Sequence, residues 1–370
     1  MNFDFSEDQK LLQQTARDFL AEHSPLSVCR EVLESDQPYS QSLFKAAAEM
    51  GYQGTAIPEE YGGAGFGYLE LAVVAEELGR ALAPMPFSSS VYLATEAILM
   101  AGSDEQKQRY LPKLASGEAI GTFAMTEKPG QNGVENVEAS LSGDKLSGSK
   151  LPVPDGDVAD FAVVAAQADG GLSLAIVDLD QDGVDRSSVG SFDPSRSMAQ
   201  IQFDGAQASL LGNAGEGAAL TDKVLDRAAV LVGFEQLGGA ERAFEITKDF
   251  MNGRFAFGRP ISSFQALKHR LADLWCEIQL TRSNCYYGAW ALSNDTPELG
   301  VGACISRIAA CKAYDLAGVE MIQLHGGVGY TWEYDCHMFY RRAKLLSVVL
   351  GSPAHWKDKL VTHLRAEQAA

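Results

Sequence analysis

The chain has 370 residues, 46% of them hydrophobic and 21% charged, with a formal net charge of −19. That is enough material for two or three domains, or one large multilayer unit, and the composition reads as globular. The acidic balance argues against nucleic acid or an anionic membrane as partner, no apolar run has bilayer-spanning length, and the start Met1-Asn2-Phe3-Asp4-Phe5 lacks the basic stretch of a secretory signal.

Six cysteines without a Cys-x-x-Cys pair suit reduced, mostly buried thiols of a cytoplasmic protein, and six scattered histidines show no metal-ligand spacing. Residues 1 to about 118 read as helical. Ser6 and Gln9 make a capping box before Leu11, Leu12, Phe19 and Leu20 recur at helical spacing. Ser40-Gln41-Ser42 starts a helix carrying Leu43, Phe44 and the alanines 46–48. Ile57 to Gly65 is too rich in glycine to continue it. Leu69 to Leu82 returns to helix with Leu71, Val74, Ala75 and Leu78 on one face, broken by Pro84 and Pro86. Asp104 caps a short helix to about Leu111, and Pro112 opens the next turn.

From Gly121 the period changes to alternating strands. Val137, Ala139 and Leu141 alternate before the turn Ser142-Gly143-Asp144. The apolar runs 161–166 and 172–177 flank Asp169-Gly170-Gly171, a hairpin signal. Ala199 to Phe203 is one more strand. About 90 residues of this kind predict a small antiparallel barrel or sandwich. From Glu216 the chain is helical again, with helices over about 218–251, from Phe264 with Leu267, Leu271, Leu274 and Trp275 as a stripe, over 301–324 and over 334–349. Gly233, Gly238 and Gly239 can admit close helix–helix approach. The order predicts an α+β fold with domains 1–118 (helical), 119–214 (β) and 215–370 (four-helix bundle). No repeating βαβ signal implies a Rossmann site.

Two stretches carry chemistry. Arg254-Phe255-Ala256-Phe257-Gly258-Arg259-Pro260-Ile261 places two arginines around aromatics and a glycine, which suits a dinucleotide: charge for a pyrophosphate and ring surface for an adenine. The alternative is a helix C-terminus whose arginines offset the dipole. In Gln323-Leu324-His325-Gly326-Gly327-Val328-Gly329, three glycines arrive within four residues. They can let a ligand approach backbone N–H groups, or simply cap a helix at a tight turn.

Together the two stretches resemble the acyl-CoA dehydrogenase family, whose pattern is Arg-x-x-Phe-Gly-x-Pro-Ile with a following Gln, then Gln-x-x-Gly-Gly-x-Gly. The matching residues are Arg254, Phe257, Gly258, Pro260, Ile261 and Gln265, then Gln323, Gly326, Gly327 and Gly329. His269 to Asp273 and Ala124-Met125-Thr126-Glu127 also look like the family, and the resemblance covers nearly the whole chain. It implies a helical N-domain, an antiparallel middle β domain and a C-terminal four-helix bundle. It also implies FAD as cofactor, an acyl-CoA substrate desaturated across Cα–Cβ, a glutamate base, and an electron-transfer flavoprotein as acceptor. In the family FAD lies across a dimer interface. One subunit contacts the ring; its neighbour cradles the ADP half with the two motifs.

The departures fall on the reactive side. The position of the usual base, before a Gly, is Leu350 here; the alternative base position on the first bundle helix is about Ala228. Thr126 matches the hydroxyl residue near the flavin. The Gly-Ser-Asp that usually follows becomes Gln131-Asn132-Gly133, and a Trp-Ile-Thr segment becomes Pro152-Val153-Pro154, where Pro154 brings no N–H.

In the run Gly326-Gly327-Val328-Gly329-Tyr330-Thr331-Trp332-Glu333-Tyr334 and in Arg341-Arg342-Ala343 the chain resembles the small subunits of pimeloyl-CoA dehydrogenases and of the α2β2 enzymes of bacterial steroid side-chain degradation. That resemblance implies an FAD-cradling subunit with no catalytic residue of its own. Arg254, Phe257, Gln265, Gln323, Gly326, Gly327 and Thr126 are its cofactor contacts, and a homologous partner brings the glutamate. Two rivals stand beside it: a self-sufficient homomer with Glu235, or less directly Glu241, as displaced base, and a structural subunit without cofactor. His325, His269, Trp275, Cys304 and Cys311 read as capping or packed-face residues. Arg341 and Arg342 read as partners of acidic neighbours or of phosphate.

Overall fold

The computed structural model describes residues 5–131 and 133–369. Six α-helices come first: α1 (Glu7–His23), α2 (Leu26–Leu33), α3 (Gln41–Glu49), α4 (Tyr68–Arg80), α5 (Glu96–Ala101) and α6 (Asp104–Ala115). A π-helical segment, Ser88–Thr95, leads into α5. Then follow β1 (Gly121–Ala124), β2 (Ser140–Ser142), β3 (Lys145–Pro154), β4 (Phe161–Ala168), β5 (Gly171–Asp178), β6 (Val184–Ser188), β7 (Met198–Gln207) and β8 (Ser209–Leu211). The last part comprises α7 (Gly217–Gly253), a hairpin of β9 (Phe255–Ala256) and β10 (Arg259–Pro260), α8 (Gln265–Ser293), α9 (Leu299–His325), α10 (Cys336–Leu346) and α11 (Pro353–Ala369). This is the α+β order expected: helical, then β, then helical. No helix among the described residues is long and apolar enough to cross a membrane.

Two compact units emerge. One draws on Met1–Glu31, Tyr68–Ala83 and Ala229–Ala370; the other on Val32–Gly67 and Pro84–Ala228. In the first, α9 is buried along most of its length, Cys304 and Cys311 included, and packs on α8, α10 and α11. A helix apolar all round belongs at the centre of a bundle. The nine consecutive residues Leu71–Gly79 of α4 are also buried, so α4 is enclosed and not merely one-faced as the sequence pattern suggested. Glycine makes that enclosure possible. A Cβ on Gly238 of α7 would lie 1.8 Å from the Glu76 carbonyl oxygen of α4, and one on Gly79 would lie 1.8 Å from the Glu235 carbonyl oxygen. The helix-propensity cost of glycine, about 1 kcal/mol each, is offset by backbone-to-backbone approach.

In the second unit the strands form one sheet in the order β6-β7-β3-β2-β4-β5-β8, with β1 added on β4. β4 and β5 pair antiparallel around the two-residue turn Asp169-Gly170, as the hairpin signal predicts. The sheet is mixed and not purely antiparallel. β1 runs parallel to β4 from Gly121↔Phe161, and β2 meets β4 in parallel register at Ser140↔Gln167. Both pairings join strands separated by long connections, as parallel neighbours require.

Four further expectations are corrected. Ser103, not Asp104, caps α6: its hydroxyl accepts from Gln106 N at 3.2 Å while the Gln106 side chain accepts from Ser103 N at 3.0 Å. Asp104 takes the first helical position, where its charge favours the dipole. Pro112 lies inside α6 and not at a new start. A fifth C-terminal helix, α11, follows the four expected; it is anchored by Trp356, 1% exposed, while its outer face stays in solvent. His269 and Trp275 do not belong to a buried face. His269 is exposed, and Trp275 is 43% exposed while touching Phe244 with ring centroids 5.1 Å apart.

The glycine contacts give a paired prediction. Gly238→Ala, which drives a methyl into backbone, lowers the urea midpoint of unfolding by about 1–3 kcal/mol equivalent. Gly233→Ala meets the Cys285 sulfur and Ser306 Cβ at 3.6 Å and Ser306 C at 3.8 Å, all ordinary van der Waals contacts, so it is neutral or gains up to about 1 kcal/mol of helix propensity.

Candidate cofactor site

The first motif is a β-hairpin tip. β9 and β10 pair with Ala256 opposite Arg259, leaving Phe257 and Gly258 as a two-residue turn. Both have positive φ, +54° and +78°, the signature of a type I′ turn. Gly258 takes this freely; a phenylalanine does so at a cost of about 1–2 kcal/mol. The ring gains nothing in compensation from packing, since Phe257 is 95% exposed and only edges toward Phe264, 6.2 Å between centroids. Arg259 lies over the Phe264 ring at 4.0 Å. Arg254 stands at the hairpin's base, where its carbonyl accepts from Ile261 N at 2.8 Å. Its guanidinium is exposed and makes no ion pair among the described residues. Gln265, also exposed, opens α8.

The second motif closes α9. Gln323 is exposed, and Gly326 turns the chain at φ +64°, ψ −142°, a conformation open to glycine alone. A Cβ on Gly326 or Gly327 would meet nothing within 4 Å, whereas one on Gly329 would strike the Ile322 carbonyl oxygen at 2.5 Å. Packing thus accounts for Gly329. It does not account for Gly327, which lies beside open space and has no need of positive φ.

The two motifs meet. Phe250, on the last turn of α7, stacks on His325 with centroids 4.1 Å apart, and Tyr334 closes edge-on against both rings. Arg254 N donates to Phe250 O at 2.9 Å, so the hairpin hangs from the residue that holds His325. His325 donates from Nδ1 to Met321 O at 2.6 Å, and burial pushes its imidazole pKa down despite that bond. A neutral, packed ring is a structural pin. Phe250 and Tyr334 escaped sequence reasoning; the signal was Phe250's place one turn before Arg254.

Thr126 belongs to the other unit. Its carbonyl accepts from Leu151 N at 2.8 Å, and its neighbours are held by Lys150. Lys150, fully buried, donates to Met125 O at 3.0 Å and to Glu127 Oε1 at 2.7 Å. Glu127 also accepts from Glu138 N and Ala139 N at 2.9 and 2.8 Å. Burial alone would raise the Glu127 pKa, but the bonds from Lys150 and the two amides win and hold it low; burial pulls Lys150 down against the same partner. Alternation along β3 puts Lys150 on the inward face of Leu146, the signal that could have revealed it. Gln131 and Gly133 lie in the loop so closed, and Asn132 lies outside the described residues. Val153 is buried, the β3–β7 register shifts between Lys150 and Val153, and Pro154 O accepts from the Thr122 hydroxyl at 2.5 Å.

The two positions where the resemblance expects a base carry no acid. Leu350 is buried, and its carbonyl accepts from Trp356 Nε1 at 3.0 Å beside Gly351 at φ +95°. Ala228 is fully buried, next to Arg227, whose Nε lies 3.0 Å from Glu96. Glu235 is 1% exposed and faces the equally buried Arg342 at 3.9 Å. Glu241 pairs with Arg282 at 2.5 Å, which also holds Glu76 at 2.9 Å. Arg342 donates in addition to Leu82 O at 3.4 Å, while Arg341 lies over the Trp332 ring.

Comparison with known proteins now bears on these residues. The model of the acyl-CoA dehydrogenase N-terminal domain matches residues 6–118, and that of the acyl-CoA dehydrogenase C-terminal domain matches residues 215–356. The chain belongs to the acyl-CoA dehydrogenase family. It is 34% identical to acyl-CoA dehydrogenase IpdE2 of Mycobacterium tuberculosis over 94% of each chain. Among solved structures it is similar to the ChsE4-ChsE5 complex of Mycobacterium tuberculosis, with TM-score 0.90 and 26% identity over 99% of each chain. It is likewise similar to the steroid ACAD Tcur3481-Tcur3483, with TM-score 0.90 and 29% identity, covering 98% of this chain and 99% of that one.

Acyl-CoA dehydrogenases are FAD-dependent oxidoreductases, and the first unit fits such a cofactor. A cation without an ion partner, an aromatic held in solvent at a strained turn, and two glycines open to space are what a dinucleotide's phosphates and rings need.

Removing one member of the buried Lys150–Glu127 pair leaves the other uncompensated. Lys150→Met therefore costs about 3 kcal/mol of stability, read from thermal melts. The low folded pKa of Glu127 means its contribution is complete above the ordinary glutamate range and lost as pH falls through the folded value. In Lys150→Met that acid-side loss starts at higher pH than in the wild type.

Proposed function

We propose that this chain is the FAD-cradling subunit of a heteromeric acyl-CoA dehydrogenase, acting in the α,β-desaturation of an acyl-CoA thioester. A homologous partner supplies the catalytic glutamate, in an α2β2 assembly in the cytoplasm. The observation that carries the reading is an asymmetry within one chain: Arg254 and Phe257 exposed, and Gly326 and Gly327 with room beside them, against a buried leucine where the base would stand. Leu350 cannot accept a proton, and its carbonyl is committed to Trp356.

In this reading the chain's own residues bind and orient. Arg254 holds the pyrophosphate, and Phe257 and Gln265 line the adenosine. Gln323 with the backbone at Gly326 and Gly327 closes over it. FAD, when bound, supplies the two-electron acceptor. Thr126, on a turn stiffened by Lys150, offers a hydroxyl on the ring side. The α-proton goes to the partner's carboxylate, and the electrons leave to an electron-transfer flavoprotein. The related solved structures, one a complex and one a steroid ACAD, support a two-chain enzyme acting on a bulky acyl group; a dicarboxylic chain is the other class. Phe255 and Tyr330, 63% and 79% exposed near the motifs, support a surface that another chain covers.

Co-expression with a homologous chain that keeps its glutamate tests the assignment. The pair should purify yellow with one FAD per pair and desaturate acyl-CoA, whereas this chain alone holds little FAD and is inactive. Full FAD content and turnover from this chain alone would refute it. Arg254→Gln should lower FAD affinity of the pair about tenfold or more, the worth of a charged hydrogen bond, while the pair still assembles.

The displaced-base alternative has its own check. Glu235, locked against Arg342, should affect stability and not chemistry. Glu235→Gln lowers the melting temperature of the pair and leaves its turnover per bound FAD unchanged.

A further inference from the structure

The segment that follows the glycine turn has little apolar burial of its own. From residue 326 to residue 335, Gly329 alone is buried, and Tyr330, Trp332 and Tyr334 are exposed. A stretch of that kind opens locally at low cost unless something outside it holds it. Its internal ties are short in range: Thr331 donates to Val328 O from N at 3.1 Å and from Oγ1 at 2.8 Å. Yet it carries Gly326 and Gly327 at one end. Near the other it carries Tyr334, which closes edge-on against the Phe250–His325 stack.

An outside hold comes from α2, at the far end of the sequence. Arg30 Nη1 donates to Trp332 O at 2.8 Å, and Arg30 Nη2 donates to Asp335 Oδ1 at 2.6 Å. The two acceptors bracket Glu333 and Tyr334, so one planar fork sets the separation across both residues. The Arg30 side chain is 21% exposed and that of Asp335 is 38% exposed, so water competes with this pair less than with an open surface ion pair. The Trp332 ring is held from α10: His337 stacks on it with centroids 4.3 Å apart, and Arg341 lies 5.5 Å from its centroid. His337 Nε2 also reaches Trp332 O, at 3.3 Å. Thus α10 grips the ring, and α2 grips the backbone and the start of α10. Arg30 belongs to neither sequence motif, and α2 supplies none of the nucleotide contacts.

We propose that Arg30 is a positioning residue of the cofactor site. It touches no part of the dinucleotide. It acts by holding residues 332–335, and through Tyr334 the aromatic stack, in the conformation in which the glycine turn receives the nucleotide. Without that hold the segment has to be ordered as FAD binds, and the ordering cost is subtracted from affinity. This inference rests on the FAD-cradle reading.

Two measurements test it. In the full chain without FAD, Arg30→Gln should speed amide hydrogen exchange about tenfold across residues 328–338, for the loss of charged hydrogen bonds. Exchange inside α9 should stay as in the wild type, which also shows that the variant folds. In the FAD-binding pair, Arg30→Gln should weaken FAD about tenfold, the cost of ordering about one residue. Arg30→Lys keeps the charge without the fork and should weaken it less. Arg30→Gln and Asp335→Asn combined should weaken it by less than the product of the two single losses, since both break one contact. Arg109→Gln removes the ion pair with Asp178 in the other unit and should leave FAD affinity unchanged. Unchanged exchange across 328–338 overturns the inference, and so does a double variant whose losses multiply in full. FAD affinity that falls in Arg254→Gln but not in Arg30→Gln overturns this inference and leaves the cradle reading standing. Affinity that falls in neither overturns both.

Discussion

The stack of Phe250 on His325 turns two separate sequence motifs into one surface. About sixty residues, most of them in α8 and α9, lie between them, and only the meeting of helix ends brings Arg254 and Gly326 into the same neighbourhood. The contact pairs a half-buried Phe250 with a buried His325 and is tied at both ends: Phe250 through its carbonyl to Arg254, His325 through its ring to Met321. A preorganised cradle for a flexible dinucleotide has to be rigid before the ligand arrives, because every residue ordered on binding subtracts from affinity. The rigid part here is hydrocarbon and aromatic; Arg254 and Gln323 project from it exposed.

In the proposed reading the cradle stays with this chain and the reacting carboxylate does not. A nucleotide cradle is built mainly from backbone and one guanidinium, so it survives as long as the turn geometry survives. Proton abstraction needs one carboxylate at one place, and a single change of residue type removes it. Leu350 sits in a turn whose backbone is pinned by Trp356, so on the proposed reading the local frame is held with no carboxylate in it. On the β side, the buried Lys150–Glu127 pair keeps the turn at Thr126 in shape even where prolines interrupt β3.

Much of this was legible in the residues, for physical reasons that can be named. The capping box at Ser6, the two-residue turn at Asp169-Gly170 and the long period-3.6 runs of α7 and α9 are local signals, and local signals reach the fold intact. Ser103 carries the same Ser-x-x-Gln pattern as Ser6 and was masked by the acid beside it. α11 went unseen because it buries little beyond Trp356. The parallel pairings of β4 could not be read, since they depend on which distant segments become neighbours. Within the site, Arg254, Phe257 and the glycines were visible as types at a spacing. Their convergence, and the role of Lys150, needed the third dimension.

Phe257 has one more implication. Asparagine or glycine would build its left-handed turn with less strain and would expose no aromatic ring to water, so any selection for robustness of the isolated polypeptide would discard the ring. Attempts to harden this protein by consensus or calculated substitution would therefore choose position 257 early. They would improve the monomer while blunting the tip it offers to whatever it meets.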